Sequence, residues 1–329
     1  MEFFNSALGK NITFVRPAYF KIAGFIGIPN MNYYYIFLFF VFFISVLGNT
    51  AVMTVIYLDH NLRTAKYVAV FNLAFVDLLG NTALVPKVID TFLFNHYYIS
   101  YNECLTYFFF CYMCLSMQAL NLVALCYDRL VAIMFPLHYQ VTVTPKIMLS
   151  IILAFWLFVI IAVLTAAGLL TRLSFCNSVV INSYFCDHGQ IFGIACNDYS
   201  PSYIFSDVLI AIILWIPLII VISSYVCICF ALFKVSTIQE GVKAFKTCTA
   251  HLSLVAIYFI PILITFTNTN IHPNHRIINL SLTAVFPPML NPIIYVLQTQ
   301  EIKASFKKVL KIRSRILTPM YGPNKMHIN

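Results

Sequence analysis

Seven stretches of this chain, Tyr33–Leu58, Tyr67–Phe94, Cys104–Met134, Ile147–Leu170, Tyr203–Phe233, Thr247–Thr269 and Ile277–Leu297, are mostly apolar over lengths that can cross a bilayer. A spanning helix needs about 20 such residues. No other feature constrains the fold as strongly. Of 329 residues, 61% are hydrophobic and 9% charged, whereas soluble domains carry about 25% charged residues. There is too little polar surface to cover a water-facing exterior, so the bilayer is the solvent. The predicted fold is an all-α membrane protein, a seven-transmembrane helix bundle with a short C-terminal amphipathic helix. The connections are short and leave no room for a second folded domain.

Orientation follows from the positive charges. With the N-terminus outside, only Lys10, Arg16, Lys21, Lys87, Arg172 and Arg276 of the 20 Lys and Arg fall on the outer side. That asymmetry favours a cytoplasmic C-terminus. The net charge of +9 is therefore a topology signal and does not indicate a nucleic-acid partner. Residues 1–30 lack the basic-then-apolar order and cleavage site of a signal peptide, so they read as an uncleaved extracellular tail. Asn11-Ile-Thr13 on that tail is a glycosylation sequon, with Asn11 as acceptor.

Of ten cysteines, Cys104, Cys176, Cys186 and Cys196 fall on the predicted outer side. An even set on the oxidising face reads as two disulfides with no free thiol, and four cysteines allow three pairings. After the last span, Glu301–Lys311 sets Ile302, Phe306, Val309 and Leu310 against Lys303, Lys307, Lys308 and Lys311. This pattern predicts an interfacial helix with its lysines on anionic inner-leaflet lipid. The expected organisation is a tail over 1–30, the bundle over 31–300, the interfacial helix over 301–312 and a cytoplasmic tail over 313–329.

The spans carry few polar groups. Asn49 follows Gly48 in the first, Asp77 lies in the second, Asp128-Arg129 ends the third, and Asn291-Pro292 with Tyr295 lies in the seventh. Such groups must face the bundle interior and find one another. Together with Trp156 in the fourth span, the set resembles a rhodopsin-type (class A) G-protein-coupled receptor.

A narrower resemblance follows from longer motifs. Leu125-Cys-Tyr-Asp-Arg-Leu-Val-Ala-Ile-Met-Phe-Pro-Leu-His-Tyr139 is similar to the odorant-receptor signature "MAYDRYVAICxPLxY". Lys243-Ala-Phe-Lys-Thr-Cys-Thr-Ala-His-Leu252 resembles "KAFSTCxSHL", and Pro287-Pro-Met-Leu-Asn-Pro-Ile-Ile-Tyr295 resembles "PMLNPxIY". Ser224-Tyr225 matches the Ser-Tyr pair of span five, and the outer loop with three cysteines, including Tyr184-Phe-Cys-Asp187, matches a habit of the same family. The likeness runs from about Asn30 to Lys311. Departures include Leu62-Arg-Thr-Ala-Lys-Tyr67 for "LHTPMY", Leu130 for Tyr, Met134 for Cys, and Gln118 where Glu is common. They mark a divergent, fish-like member.

The resemblance implies working parts. Arg129 would pair with Asp128 at rest and turn toward an inner cavity on activation, supported by Tyr225 and Tyr295, with Asn291 and Pro292 in the same switch. The implied disulfides are Cys104–Cys186 and Cys176–Cys196. A family sodium site would use Asp77 and Asn291, with one charge fewer because of Gln118. The implied ligand pocket lies in the outer half and is lined by Tyr112, Leu115, Ser116, His188, Leu209, Ile213, Phe259, Phe266 and Asn270. A retinal pigment is excluded because span seven has no Lys. An amine receptor is argued against because the matching position in span three is Cys111, and a buried ammonium without a counter-ion is costly. Asn270 stands where acid-binding relatives place Arg. The expected ligand is therefore a small, mostly neutral molecule oriented by Tyr112, Ser116 and Asn270.

The function expected is that of an odorant receptor in the plasma membrane. It would bind a small-molecule odorant outside and activate a stimulatory, olfactory-type heterotrimeric G protein inside by population shift, with no cofactor. Span six would hinge near Pro261. A non-olfactory rhodopsin-like receptor for a small endogenous ligand is the alternative. A channel or transporter finds no support in paired broken helices or rings of charge. An intramembrane enzyme finds no His/Asp metal set, Ser-Lys pair or Asp-Asp pair in spans five to seven.

Overall fold

Long apolar runs form helices because hydrocarbon leaves backbone N–H and C=O groups no other partners. The computed structural model describes residues 15–176, 178–232, 238–268 and 271–317, with the side chains at 232, 238–248, 250, 251, 297, 298 and 309–317 outside the description. Strand β1 (Tyr19–Ile22) precedes α1 (Asn32–Leu58), a 3₁₀ turn (His60–Leu62) and α2 (Ala65–Leu93). Strand β2 (Tyr98–Ser100) leads into α3 (Tyr101–Met134), followed by the short α4 (Tyr139–Thr142) and α5 (Pro145–Leu170). The long loop after α5 holds β3 (Val180–Ile181) and α6 (His188–Ile194). Span five is α7 (Ser200–Ile210), a π-helical turn (Ala211–Trp215) and α8 (Ile216–Leu232). Then come α9 (Ile238–Thr267), α10 (Pro273–Gln298) and α11 (Gln300–Leu317).

Among the described residues, six of these segments are long and apolar enough to span a membrane, and α9 contributes a shorter apolar run, Leu252–Thr267. Together they make a seven-helix bundle. Helix α3 is its axis, with 78% of its apolar window buried against 28% for α1 and for α5. Its start is fixed by a capping box in which Ser100 and Glu103 satisfy each other's backbone N–H groups. Small residues let neighbours approach closely. A Cβ on Gly48 would lie 2.9 Å from Pro292, and one on Gly80 would lie 2.9 Å from Cys114. Beside the first contact, Asn49 Nδ2 donates to the Pro288 carbonyl at 2.8 Å, and Asn81 Nδ2 donates to Ser45 Oγ at 2.8 Å. Trp156 Nε1 donates to Asn72 Oδ1 at 3.0 Å, and Asn72 Nδ2 donates to Asn121 Oδ1 at 2.8 Å, which ties α2, α3 and α5 together.

One end of the bundle, the upper end here, carries both disulfides. Cys104 at the top of α3 is joined to Cys186, and Cys176 to Cys196. The same end carries a three-stranded sheet of order β2-β1-β3 that the helical patterns did not foretell. Phe20 and Ile22 of β1 point into the core while Tyr19 faces out, the period-two signature of a half-buried strand. Residues 15–26 are thus built into the upper cap: Ile26 and Asn274 exchange hydrogen bonds at 2.8 Å, which fixes the segment to α10.

At the lower end α11 runs to Leu317, beyond the expected stop at 312. No Gly or Pro interrupts the sequence before Pro319. Ile302 is fully buried and Phe306 packs beside it, against residues of α1 and α2. Ser305 Oγ donates to Asp59 Oδ2 at 2.7 Å. That hydrogen bond is the main cause holding the Asp59 carboxyl below its ordinary range.

Candidate functional site

A cavity of about 80 Å³ lies in the upper half between α3, α5, span five and α9, under the loop that carries Cys186. Seven expected residues line it: Tyr112, Leu115, Ser116, His188, Leu209, Ile213 and Phe266. Phe259 does not. It is 1% exposed and packs among Val221, Tyr225 and Ile262, while Tyr258, Ile262 and Phe266, spaced four apart, share the cavity face. One residue along a helix is a turn of about 100°, which carries Phe259 off that face. Asn270 lies outside the described residues. Cys111 borders a separate, smaller cavity with Gln118 and Tyr184, so the span-three position facing the ligand space is Tyr112.

The roof of the cavity is polar. Asp187 caps α6 by accepting from Gly189 N at 3.1 Å. Its carboxylate also takes Arg276 of α10, with Nε directed at Oδ2 and Nη2 at 2.8 Å from Oδ1. The Tyr112 hydroxyl donates to Asp187 Oδ1 at 3.0 Å and lies 2.8 Å from His188 Nδ1. Burial alone would push the Asp187 acid up, but the Arg276 guanidinium overrides it and holds the carboxyl well below the usual carboxylate range. A buried pair of this kind survives only with its remaining groups satisfied. Arg276 Nη1 accordingly donates to the Thr265 carbonyl at 3.2 Å, and its guanidinium sits 5.3 Å from the Phe266 ring centre. Gly189 leaves room for the pair, since a Cβ there would lie 2.8 Å from Arg276 Nη2. The cluster presents Tyr112 and His188 downward to an otherwise apolar pocket, the usual build of a small-molecule site.

Deeper in the bundle, Asp77 accepts from Gln118 Nε2 at 2.9 Å and from Asn291 Nδ2 at 2.7 Å. Both carboxylate oxygens are thus met by neutral amides. Gln118 Oε1 and Asn291 Oδ1 are buried without a hydrogen-bond partner among the described residues. These two carbonyl oxygens are the hard donors that could join Asp77 on a sodium ion, but as arranged the amides turn N–H groups toward the carboxylate.

At the lower end of α3 the expected Asp128–Arg129 pair is replaced. Asp128 accepts from Tyr139 of α4 at 2.7 Å, and among the described residues no ion pair joins Asp128 to Arg129. The physical reason is local: α4 brings the Tyr139 hydroxyl to the buried carboxylate, and Arg129 beside it is half-buried. Tyr225 packs with Val221 and Phe259, and Tyr295 packs in a different cluster with α1 and α2. Tyr295 Oη is buried without a partner among the described residues. The switch residues are therefore apart in this structure. Pro292 lies inside α10, against Gly48.

A family model described as olfactory receptor matches residues 38–313. The chain belongs to the olfactory receptor family. It is an odorant receptor of the G-protein-coupled class, a multi-pass membrane protein and not an enzyme. Human olfactory receptor 6C4 is 29% identical over 280 residues, covering 84% of this chain and 90% of that relative. Rat olfactory receptor 1500 is 32% identical over 292 residues, or 87% and 93% of the two chains. The rat olfactory receptor-like protein I9 is 32% identical over 269 residues, or 81% and 85%.

For this olfactory receptor, sequence reasoning missed the Asp187–Arg276 pair. Read from the sequence alone, Arg276 contributes only to the charge asymmetry. It falls one residue before the seventh apolar run, where a basic residue is ordinary; the helix begins at Pro273 and takes it in. Asn72 and Asn121 were missed as well, although each is a polar group in a span.

Proposed function

We propose that this olfactory receptor binds a small, mostly neutral odorant in the upper cavity and turns that binding into activation of a stimulatory G protein at the lower end. The carrying observation is the convergence of Tyr112, Ser116 and His188 on an apolar cavity roofed by a loop that is disulfide-bonded to α3. A cavity whose charges are already paired favours an uncharged ligand, because a second charge would find no counter-ion there. We propose further that the N-terminus and disulfides face outside in the plasma membrane, as the Lys and Arg asymmetry supports, with the basic face of α11 on anionic lipid. Arg129, Tyr225, Asn291, Pro292 and Tyr295 form the switch. The ligand favours the arrangement in which Arg129 opens to the G protein, and it shifts the population only by its differential affinity. Residues 1–30, 31–300, 301–312 and 313–329 serve as tail, bundle, interfacial anchor and cytoplasmic tail.

The test is odorant-evoked cAMP in cells that co-express an olfactory-type stimulatory Gα. Wild type responds, and Arg129→Ala reaches the surface but loses the response. An odorant-gated current that persists without any G protein would overturn the reading.

A further inference from the structure

Above the inner pocket, and sharing His188, Ser206, Ile210 and Phe266 with it, is a wider vestibule of about 290 Å³. Its wall on span five is one helical stripe, Tyr199, Tyr203, Ser206, Asp207 and Ile210, at four- and three-residue steps. Tyr199 is 43% exposed and Tyr203 41% exposed, and both rest against Phe192, with ring centres 5.9 and 6.2 Å from it. Two aromatic rings thus stand backed and open toward the same space.

Asp207 is the anomaly. It lies in the second turn of a segment apolar enough to span a membrane, and its exposed carboxylate forms part of the vestibule lining. Among the described residues no Lys, Arg or His makes an ion pair with it. Arg276, which also borders the vestibule, is committed to Asp187. The wall therefore carries one uncompensated negative charge beside two open aromatic faces. A metal ion is poorly served by such a set, because it needs several hard or soft ligands at once. No group of His, Cys, Asp and Glu able to hold one occurs among the described residues. A carboxylate next to Tyr rings is instead the chemistry that attracts an organic ammonium, by Coulomb attraction and by the ring quadrupoles.

We infer that the vestibule is a binding site for a small organic ammonium group, with Asp207 as counter-ion and Tyr199 and Tyr203 as the cation-facing rings. This goes beyond the odorant pocket. The exclusion of amines from Cys111 concerns span three alone, and the vestibule supplies its carboxylate from span five.

The test uses choline and its uncharged isostere 3,3-dimethyl-1-butanol as probes. Binding to the purified full chain in maltoside micelles free of choline lipid is read by saturation-transfer NMR. Wild type binds choline at least tenfold more tightly than the isostere. Asp207→Asn loses at least tenfold in choline affinity and nothing for the isostere, Tyr203→Leu loses severalfold, and Asp207→Glu keeps the preference. Equal binding of the two probes to wild type, binding of neither, or unchanged choline binding by a folded Asp207→Asn would overturn the assignment. Should Asp207→Asn fail to fold, loss of the preference in a folded Asp207→Glu overturns it instead. A second arm in phosphatidylcholine nanodiscs separates two sources of the same chemistry. Suppressed choline binding there assigns the site to a lipid headgroup, and retained binding assigns it to a free ammonium, both through Asp207. None of these readouts involves a G protein, so failure here is distinguishable from failure of the receptor mechanism.

Discussion

Among the described residues, Asp187 and Asp77 are the two carboxylates with no exposed surface, and they are satisfied in opposite ways. Asp187 in the upper loop meets a complete counter-charge on Arg276. Asp77 in the bundle meets only the amide dipoles of Gln118 and Asn291. The first arrangement fixes charge and geometry together, because removing either partner strands the other in a dry site. The second leaves a charge balanced by groups that can turn over. Each amide also holds an unpartnered carbonyl oxygen, so a half-turn would bring an acceptor where a donor now points, an arrangement suited to a bound cation or a protonated carboxyl. The upper cluster is therefore built to hold the pocket roof still. The deeper one is built to change.

The largest expected effect that tests this contrast is on the upper pair. Asp187→Ala strands the Arg276 guanidinium and costs about 3–5 kcal/mol, seen as a sharp fall in the thermal midpoint of the purified receptor and in its surface level. Asp187→Leu combined with Arg276→Met recovers most of that loss, since no unpaired charge remains. A double variant as unstable as the single one would mean the pair acts by shape and not by charge. A smaller effect is expected at the deeper site. Asp77→Asn lets Gln118 or Asn291 turn its free oxygen to the new amide, so stability changes by no more than about 1 kcal/mol, while agonist-evoked signalling changes because the charge is gone. A thermal loss as large as that of Asp187→Ala would erase the distinction.

The smallest effect is the response to pH. The Asp187 carboxyl is held below its ordinary value, which in the unfolded chain is about 3.9. A depressed folded value gives stability that is fully present above the unfolded value and is lost only as pH falls through the folded one. The midpoint difference between wild type and Asp187→Asn is therefore flat from neutral pH down to about pH 4.5 and shrinks at lower pH. A difference that changed markedly between pH 7 and 5.5 would show that another group sets the roof.

Much of this was legible in the sequence, and the rest was hidden for identifiable reasons. Span positions follow from composition along one dimension, and the helices agree with them; the four cysteines read as two disulfides are joined in two pairs. Polar groups in spans announced themselves at Asn49, Asp77 and Asn291, because hydrocarbon forces such groups together. Facing was harder to read. Placing Phe259 on the pocket is an error of a single residue along a helix, enough to rotate a side chain off a surface. The Asp187–Arg276 pair joins residues 89 positions apart, and no local spacing encodes it. Strand β1 is only four residues long, too short for its alternation to stand out. The substitution of Tyr139 for Arg129 at Asp128 depends on how α4 packs, which the motif around Arg129 does not specify.

The central claim is that odorant binds between Tyr112, Ser116 and His188 under the pinned loop. Its most direct test is the odorant concentration–response of Tyr112→Ala and Ser116→Phe at matched surface level, read as cAMP. The expected result is a loss of potency of at least tenfold for Tyr112→Ala and loss of the response to every agonist for Ser116→Phe, whose ring fills a cavity of about 80 Å³. Responses of both variants indistinguishable from wild type would contradict the account.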